Sequence, residues 1–111
     1  MKYTIKEEEG IIIITFQGDL IGATDSLELM DLVNDKINQG FFKSVIDMKD
    51  VRYMNSSGIG ILITLYTKFK NRNGNAVVAN ASEQTVKLLT ITKLDSVIKI
   101  HPSLDEAKKS V

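Results

Sequence analysis

The residues of this chain best suited to chemistry are two adjacent serines, Ser56 and Ser57, in the segment NSSGIG at residues 55–60. An apolar strand pattern precedes the segment and a strongly apolar helix pattern follows it, which predicts the serines at the start of a helix. The first N–H groups of a helix have no intrahelical acceptor and form the positive end of the helix dipole. Such a position favours an anion. The pattern therefore predicts a serine hydroxyl placed where a phosphate is well tolerated.

Catalysis by either serine is not predicted, because a serine nucleophile needs a neighbouring base. The only histidine, His101, stands next to Pro102 and is expected at the surface or in a turn. The segment also lacks the G-x-S-x-G, phosphate-binding P-loop and G-x-G-x-x-G patterns. Asp47 and Asp50 could hold a divalent cation, but two carboxylates in a predicted turn are usually solvated. We therefore predict no enzyme activity, no metal and no cofactor.

The composition is that of one soluble domain over residues 1–111, with 43% hydrophobic and 25% charged residues. Acidic and basic residues balance at 14 each, so no basic surface for nucleic acid is predicted. Cysteine is absent, which excludes disulfides and thiol chemistry. The chain starts without an apolar signal segment, and its longest apolar cluster, at residues 59–66, is too short to span a membrane. A cytoplasmic location without direct membrane insertion is expected.

Strand patterns predict five strands. Short apolar or alternating runs occur at residues 3–6, 11–16, 43–47, 76–79 and 96–100. Turns or loops are expected at residues 7–10 and 18–22, and a charged turn between the third strand and the serines. Strands and helices alternate after residue 16, which implies an α/β fold with a mostly parallel five-strand sheet, an antiparallel first strand and about four helices. The turn carrying the serines then lies at the carboxyl edge of the strands, where functional loops gather.

Helix patterns cover residues 23–39, 57–70, 82 or 83 to 92, and the end of the chain. The first helix has Thr24 or Asp25 as its N-cap. Its predicted buried stripe consists of Leu27, Met30, Val33 and Ile37. The last helix follows a capping-box spacing from Ser103 to Glu106. One side of it is predicted to carry Leu104, Ala107 and Val111.

The second helix has more apolar residues than one covered face requires. Its predicted core stripe is Ile59, Leu62, Ile63, Tyr66 and Phe69. Ile61 and Leu65 lie on a flanking face, where they either pack against neighbouring helices or form a docking surface beside the serines. Gly58 and Gly60 each cost a helix about 1 kcal/mol relative to alanine. Close packing of the helix start, or room for a phosphate or a partner backbone, would explain them.

Residues 45–60, VIDMKDVRYMNSSGIG, resemble the signature of the STAS domain family. The pattern is an apolar strand ending in Asp or Asn, a short turn, an aromatic–Met pair, and then Asp-Ser-Ser/Ala/Thr-Gly-Leu/Ile-Gly. Supporting matches are Gly18-Asp19-Leu20, Asn73-Gly74, and Leu88-Leu89 to Leu94 in the third helix. The resemblance covers nearly the whole chain and is greater to single-domain bacterial anti-sigma factor antagonists than to the cytoplasmic tails of sulfate transporters.

The resemblance implies a partner switch. In such antagonists the first serine of the pair, here Ser56, is phosphorylated by an anti-sigma factor that is also a serine kinase, and a phosphatase reverses the modification. Ser57 is the second choice. The partner-binding residues implied are Asp19, Asn55, Ser56, Ser57, Gly58, Ile59, Ile61 and Leu65. An exposed edge strand and an apolar helix flank would also allow a weak homodimer.

Two positions depart from the family pattern, and both fall where a partner would dock. Asn55 replaces the acidic residue before the serine, so it can cap the helix but brings no charge. Ile21 stands where an acidic residue often follows Gly-Asp-Leu. Two alternatives stay open: a STAS scaffold subunit of a signalling or membrane-transport complex that phosphate does not switch, and a nucleotide or small-ligand sensor using the loop ends near Gly18, Asp47 and Ser56.

Overall fold

A computed structural model describes residues 2–21 and 26–111. Along these residues the order of elements is β1 (Lys2–Glu8), β2 (Ile11–Leu20), α1 (Ser26–Asn38), β3 (Lys43–Met54), α2 (Ser56–Lys70), β4 (Asn75–Ala79), α3 (Glu83–Ile91), a 3-10 helix (Leu94–Ser96), β5 (Ile100–His101) and α4 (Leu104–Ser110). The predicted N-cap residues of α1, Thr24 and Asp25, lie outside the described residues.

The strands form one five-stranded sheet in the order β1-β2-β3-β4-β5. β1 pairs antiparallel with β2, and the remaining neighbours are parallel. This confirms the predicted α/β fold class. Because each parallel connection carries a helix, the carboxyl ends of β2, β3 and β4 lie at one edge of the sheet.

β2 and β3 are longer than predicted. The loop expected at residues 18–22 is wrong for Gly18, Asp19 and Leu20, which are in β2, and the expected charged turn after Asp47 is instead the second half of β3. The pairing of these strands has two register shifts, each adding one residue on β3. Such bulges break the period-2 pattern of a strand. The buried residues here therefore recur every third position, at Met48, Val51 and Met54.

The extra length forms a two-stranded ribbon that extends beyond the rest of the sheet. β1 pairs with β2 only as far as Gln17, and β4 pairs with β3 only as far as Asp47. The ribbon, defined as residues 18–20 of β2 with residues 51–54 of β3, continues past both points. α2 begins directly after its tip.

The sheet has a core on each face. The larger cluster joins Phe16, Leu29, Met48, Leu62 and Phe69 with neighbours from α1, α2 and α3. The smaller cluster lies under α4, where Ala107 packs on buried residues of the strands and is flanked by Leu104 and Val111, as predicted. Ser103 is the N-cap of α4, with the Glu106 N–H donating to the Ser103 hydroxyl at 3.2 Å, which is one of the two hydrogen bonds of a capping box.

Three local predictions are wrong. Leu27 was predicted in the buried stripe of α1, but it is 73% exposed, and Leu29 is buried with Val33 and Ile37. In place of the strand predicted at residues 96–100, the structure has a 3-10 helix and then the two-residue β5. Leu94 is the first residue of the 3-10 helix and is therefore not in α3. Glu7 and Glu8 continue β1, leaving Glu9 and Gly10 as the turn.

Candidate functional site

The serine turn joins the tip of the ribbon to α2. Asn55 is the N-cap of α2, with its side-chain Oδ1 accepting a hydrogen bond from the N–H of Gly58 at 3.0 Å. Ser56 and Ser57 are the first two residues of the helix, and both are exposed. Their backbone N–H groups have no acceptor within the helix, because no carbonyl of a preceding turn is present. The two hydroxyls thus lie at the positive end of α2.

Gly58 allows this turn to lie directly against β2. A Cβ at Gly58 would be 2.1 Å from the carbonyl oxygen of Leu20 and 2.7 Å from Cγ of Met54. The N–H of Asn55 also donates to the Leu20 carbonyl, at 3.4 Å. Close packing therefore explains Gly58. At Gly60 an added Cβ would meet no atom within 4 Å, so this glycine is not required by packing among the described residues.

Asp19 lies at the same edge as the serines, because it pairs with Tyr53 in the ribbon. Its carboxylate accepts two hydrogen bonds from Arg52, from Nε at 3.0 Å and from a terminal nitrogen at 2.9 Å. This bidentate pair holds the pKa of Asp19 below its usual value and raises the pKa of Arg52. The charge of Asp19 is therefore already matched by Arg52, a residue that the sequence did not single out.

Of the two alternatives for the flank of α2, the structure shows packing in the core rather than a docking surface. Ile61 is 6% exposed and Leu65 is fully buried, so both pack in the core, as Gly58 and Ile59 do. Ile63, predicted in the core, is 42% exposed. These four buried residues of the predicted partner surface therefore offer little surface to a partner, whereas Asp19, Asn55, Ser56 and Ser57 are accessible or half-buried.

The exposed side of α2 is instead an uncharged stripe that begins at the serines. We call this the α2 stripe; it consists of Ser56, Ser57, Gly60, Ile63, Thr64 and Thr67. The hydroxyl of Thr64 donates to the carbonyl of Gly60, and that of Thr67 to the carbonyl of Ile63, each at 2.8 Å. Because both threonine donors are already satisfied, covering Thr64 and Thr67 leaves neither hydroxyl proton without an acceptor. The sequence signal for it is the absence of any charged residue between Arg52 and Lys68.

An open cleft of about 420 Å³ adjoins the serine turn, between the ribbon and the start of α3. Its lining residues are Arg52, Tyr53, Met54, Asn55, Ser56, Gln84, Thr85 and Leu88. Gly18 and Asp47, which the sensor alternative combined with Ser56 as loop ends, are within strands and do not line it. Nothing in the sequence pattern pointed to the α3 side of the cleft.

The two aspartates considered for a divalent cation differ in their surroundings. Asp47 is 2% exposed, and its Oδ1 accepts hydrogen bonds from the N–H of Lys49 and from the amide of Asn80, each at 3.1 Å. Asp50 is exposed. No group of three or more potential metal ligands converges within residues 2–21 and 26–111.

His101 is in β5 rather than in a turn, and it is half-buried. Its Nε2 lies 2.6 Å from the hydroxyl of Ser110 in α4. The contact joins the last strand to the last helix, so His101 is engaged away from the serine pair at residues 56 and 57. In the part of the chain that the structure describes, no helix is long and apolar enough to cross a membrane.

Several known proteins are similar to this chain. The anti-sigma-B factor antagonist of Bacillus subtilis is 36% identical over 55 residues, half of each chain. The chain spans 66% of the length of two Thermotoga relatives, provisionally named anti-sigma factor antagonists, at 25% and 24% identity. Two structures share the fold: an anti-sigma factor antagonist from Mycobacterium paratuberculosis (TM-score 0.83, 22% identity, 99% of this chain and 92% of that chain) and phosphorylated SpoIIAA of Bacillus (TM-score 0.76, 16% identity, 98% of both).

The family comparison covers more of the chain than these pairwise matches. The model of the STAS domain matches residues 2–107. The matched range contains the whole sheet, the ribbon, the serine turn and the α2 stripe. The chain belongs to the STAS domain family.

Proposed function

We propose that this protein is an anti-sigma factor antagonist that binds an anti-sigma factor with serine kinase activity and is released when Ser56 is phosphorylated. The observation that carries the proposal is the exposed Ser56 hydroxyl at the first position of α2, at the head of the uncharged α2 stripe. Family membership and relatives named as anti-sigma factor antagonists support the binding role. A neighbour of the same fold solved in a phosphorylated form supports the modification.

The switch follows from electrostatics. Phosphorylation adds roughly −1.5 to −2 charges at Ser56. The helix N-terminus tolerates this charge, favouring an anion by about 0.3–1 kcal/mol. In a partner interface formed on an uncharged stripe, the phosphate would be buried without a matching cation, at a cost on the order of 2–5 kcal/mol. That cost corresponds to a loss of affinity of roughly 30-fold to a few thousand-fold. Release needs no refolding of the domain.

The first test is the phosphorylation state of the protein isolated from its native cells. Cleavage after Arg52 and Lys68 gives one peptide, residues 53–68, that holds both serines of the turn. Mass spectrometry under several growth conditions should find phosphate on Ser56 that changes with condition. A peptide that is well detected and never phosphorylated would contradict the switch, although not the binding role.

The second test measures binding to the anti-sigma factor directly. Ser56→Asp should weaken the complex by at least tenfold, because it places a fixed charge in the interface, whereas Ser56→Ala should bind as the unmodified protein does. Ile63→Glu should weaken it similarly, because Ile63 is in the α2 stripe. Ile91→Glu is the matched control, since Ile91 is 77% exposed at the end of α3. Equal binding by Ser56→Asp and Ser56→Ala would contradict the mechanism.

A STAS scaffold that phosphate does not switch is the second candidate, and the uncharged Asn55 favours it. Such a protein would bind its partner constitutively and carry no phosphate under any condition. The cleft beside Ser56 favours a third candidate function, a sensor of nucleotides or small ligands. Calorimetry with common nucleotides tests it, with Gln84→Ala as the variant because Gln84 lines the cleft from the α3 side.

A further inference from the structure

The free edge of β1 is a long and regular strand. β1 covers seven residues, and its pairing with β2 runs without a register shift from Lys2 to Glu8. The opposite edge of the sheet, β5, has only two residues. Natural edges are usually shortened, bulged, interrupted by proline or protected by charged side chains, because an open edge exposes backbone groups that can pair with another strand. β1 has none of the first three features. Its exposed lysines, Lys2 and Lys6, oppose pairing only with a strand that places no opposite charge against them.

The side chains of β1 are complementary to a second copy of the same strand. In an antiparallel pair centred on Ile5, the two-fold axis places Lys2 opposite Glu8 twice and Thr4 opposite Lys6 twice. A shift by two residues in one direction would place Lys2 opposite Lys6, and in the other direction Lys6 opposite Lys6. Like charges directly opposite each other destabilise a strand pair, and opposite charges stabilise it. The charge pattern therefore selects one register.

The cations of β1 have no competing partner within one chain. In residues 2–21 and 26–111, no carboxylate pairs with Lys2 or Lys6, and both are exposed. The glutamates, by contrast, also have cations from the helices that flank the edge. Glu7 pairs with Lys36 of α1, and Glu8 with Lys108 of α4 at 3.4 Å. A second copy would give Lys2 a carboxylate partner, and Glu8 would then be shared between Lys2 of the other copy and Lys108 of its own chain.

We propose that β1 is a homodimer interface, in which two copies pair antiparallel about Ile5 and form one continuous sheet of both protomers. The exposed backbone groups of the edge supply the hydrogen bonds, and the two Lys2–Glu8 pairs fix the register. The interface lies on the β1 edge, whereas the main contacts of α2 with the sheet are to β3 and β4. Pairing at β1 should therefore leave the α2 stripe of each protomer accessible. This inference does not depend on the proposed function.

A first experiment uses charge reversal and sedimentation equilibrium at concentrations up to millimolar. Lys2→Glu and Glu8→Lys should each weaken the homodimer by about tenfold, because each creates two like-charged pairs. An equimolar mixture of the two variants should form a heterodimer with the original affinity, since both pairs are then opposite in charge. Glu9→Lys is the matched control: Glu9 also lies near Lys108, at 3.7 Å, but outside β1.

A second experiment reads the register, and the absence of native cysteine makes it simple. Directly opposite residues of antiparallel strands have Cα atoms roughly 4.5–5.5 Å apart, within the range of a disulfide. Oxidation should therefore crosslink Ile5→Cys faster than Thr4→Cys or Lys6→Cys, which report the two shifted registers. Faster crosslinking of either shifted variant, no crosslinking of Ile5→Cys, or a monomer at every concentration would overturn the proposal.

Discussion

Asn55 joins β3 to α2 through a single side-chain hydrogen bond, from the N–H of Gly58 to its Oδ1. A carboxylate could accept the same bond, so the departure from the acidic family pattern keeps the cap and removes only the charge. This separates two roles of the position. The capping hydrogen bond stabilises the helix, whereas a negative charge at the same position would help to position a kinase.

Two different substitutions at Asn55 should therefore affect the stability of the domain and the rate of phosphorylation separately. Asn55→Ala should lower the free energy of unfolding by about 1 kcal/mol, the usual cost of losing an N-cap. Asn55→Asp should keep the cap and increase the rate at which the partner kinase phosphorylates Ser56. Urea unfolding and a phosphorylation time course measure the two effects. An unchanged rate in Asn55→Asp would show that the carboxylate is dispensable in this protein.

The Asp19–Arg52 pair makes a prediction about pH. The hydrogen bonds from Arg52 lower the pKa of Asp19 in the folded state, so the pair contributes stability above the ordinary carboxyl pKa. That contribution is lost as the pH falls through the lowered pKa, because the protonated carboxyl no longer pairs with the guanidinium. In an NMR titration, Arg52→Gln should raise the pKa of Asp19 back toward its usual value. Arg72→Gln is the control, since Arg72 bonds Asn38 instead. Equal Asp19 pKa values in the two variants would contradict the assignment.

At the scale of the element, α2 shows the limit of reading a helix from its apolar pattern. Apolar residues cover more than half of its circumference, so several choices of core stripe are equally consistent with the sequence. The packing of the folded domain decides among them: Ile61 and Leu65 are in the core, and Ile63 is exposed. Where one face was distinct, as in α4, the pattern gave the correct buried side.

The two glycines of α2 should respond oppositely to alanine. Gly58→Ala should destabilise the protein by about 1–3 kcal/mol, because the new methyl group would overlap the Leu20 carbonyl. Gly60→Ala should stabilise it by up to about 1 kcal/mol, because the methyl group enters open space and the helix gains propensity. Chemical unfolding of both variants provides the comparison.

Gly60→Ala also tests the α2 stripe. If the stripe contacts the anti-sigma factor, the same methyl group should weaken that complex while the domain itself becomes more stable. Unchanged affinity would place the partner elsewhere on the protein.

At the scale of the whole molecule, strand and helix alternation was sufficient to predict the sheet and its directions. The ribbon could not be predicted, because the bulges turn a period of two into one of three and make Lys49 and Asp50 look like a turn. The contacts within the candidate site could not be predicted for a related reason. The Asp19–Arg52 pair and the cleft beside α3 depend on cross-strand register and on packing between distant segments, which local patterns do not encode.

The ribbon also has a dynamic consequence. Its strands have no third strand beside them in the described sheet, so fewer backbone hydrogen bonds must break to open it than to open the central strands. Amide protons of the ribbon should exchange with solvent through local opening. Those of Val45 and Ile46, in the central strand, should exchange only when the whole domain unfolds. The serine turn therefore follows a part of the sheet that should open locally before the central strands do, and a modifying enzyme would be able to reach the turn while the two cores stay intact.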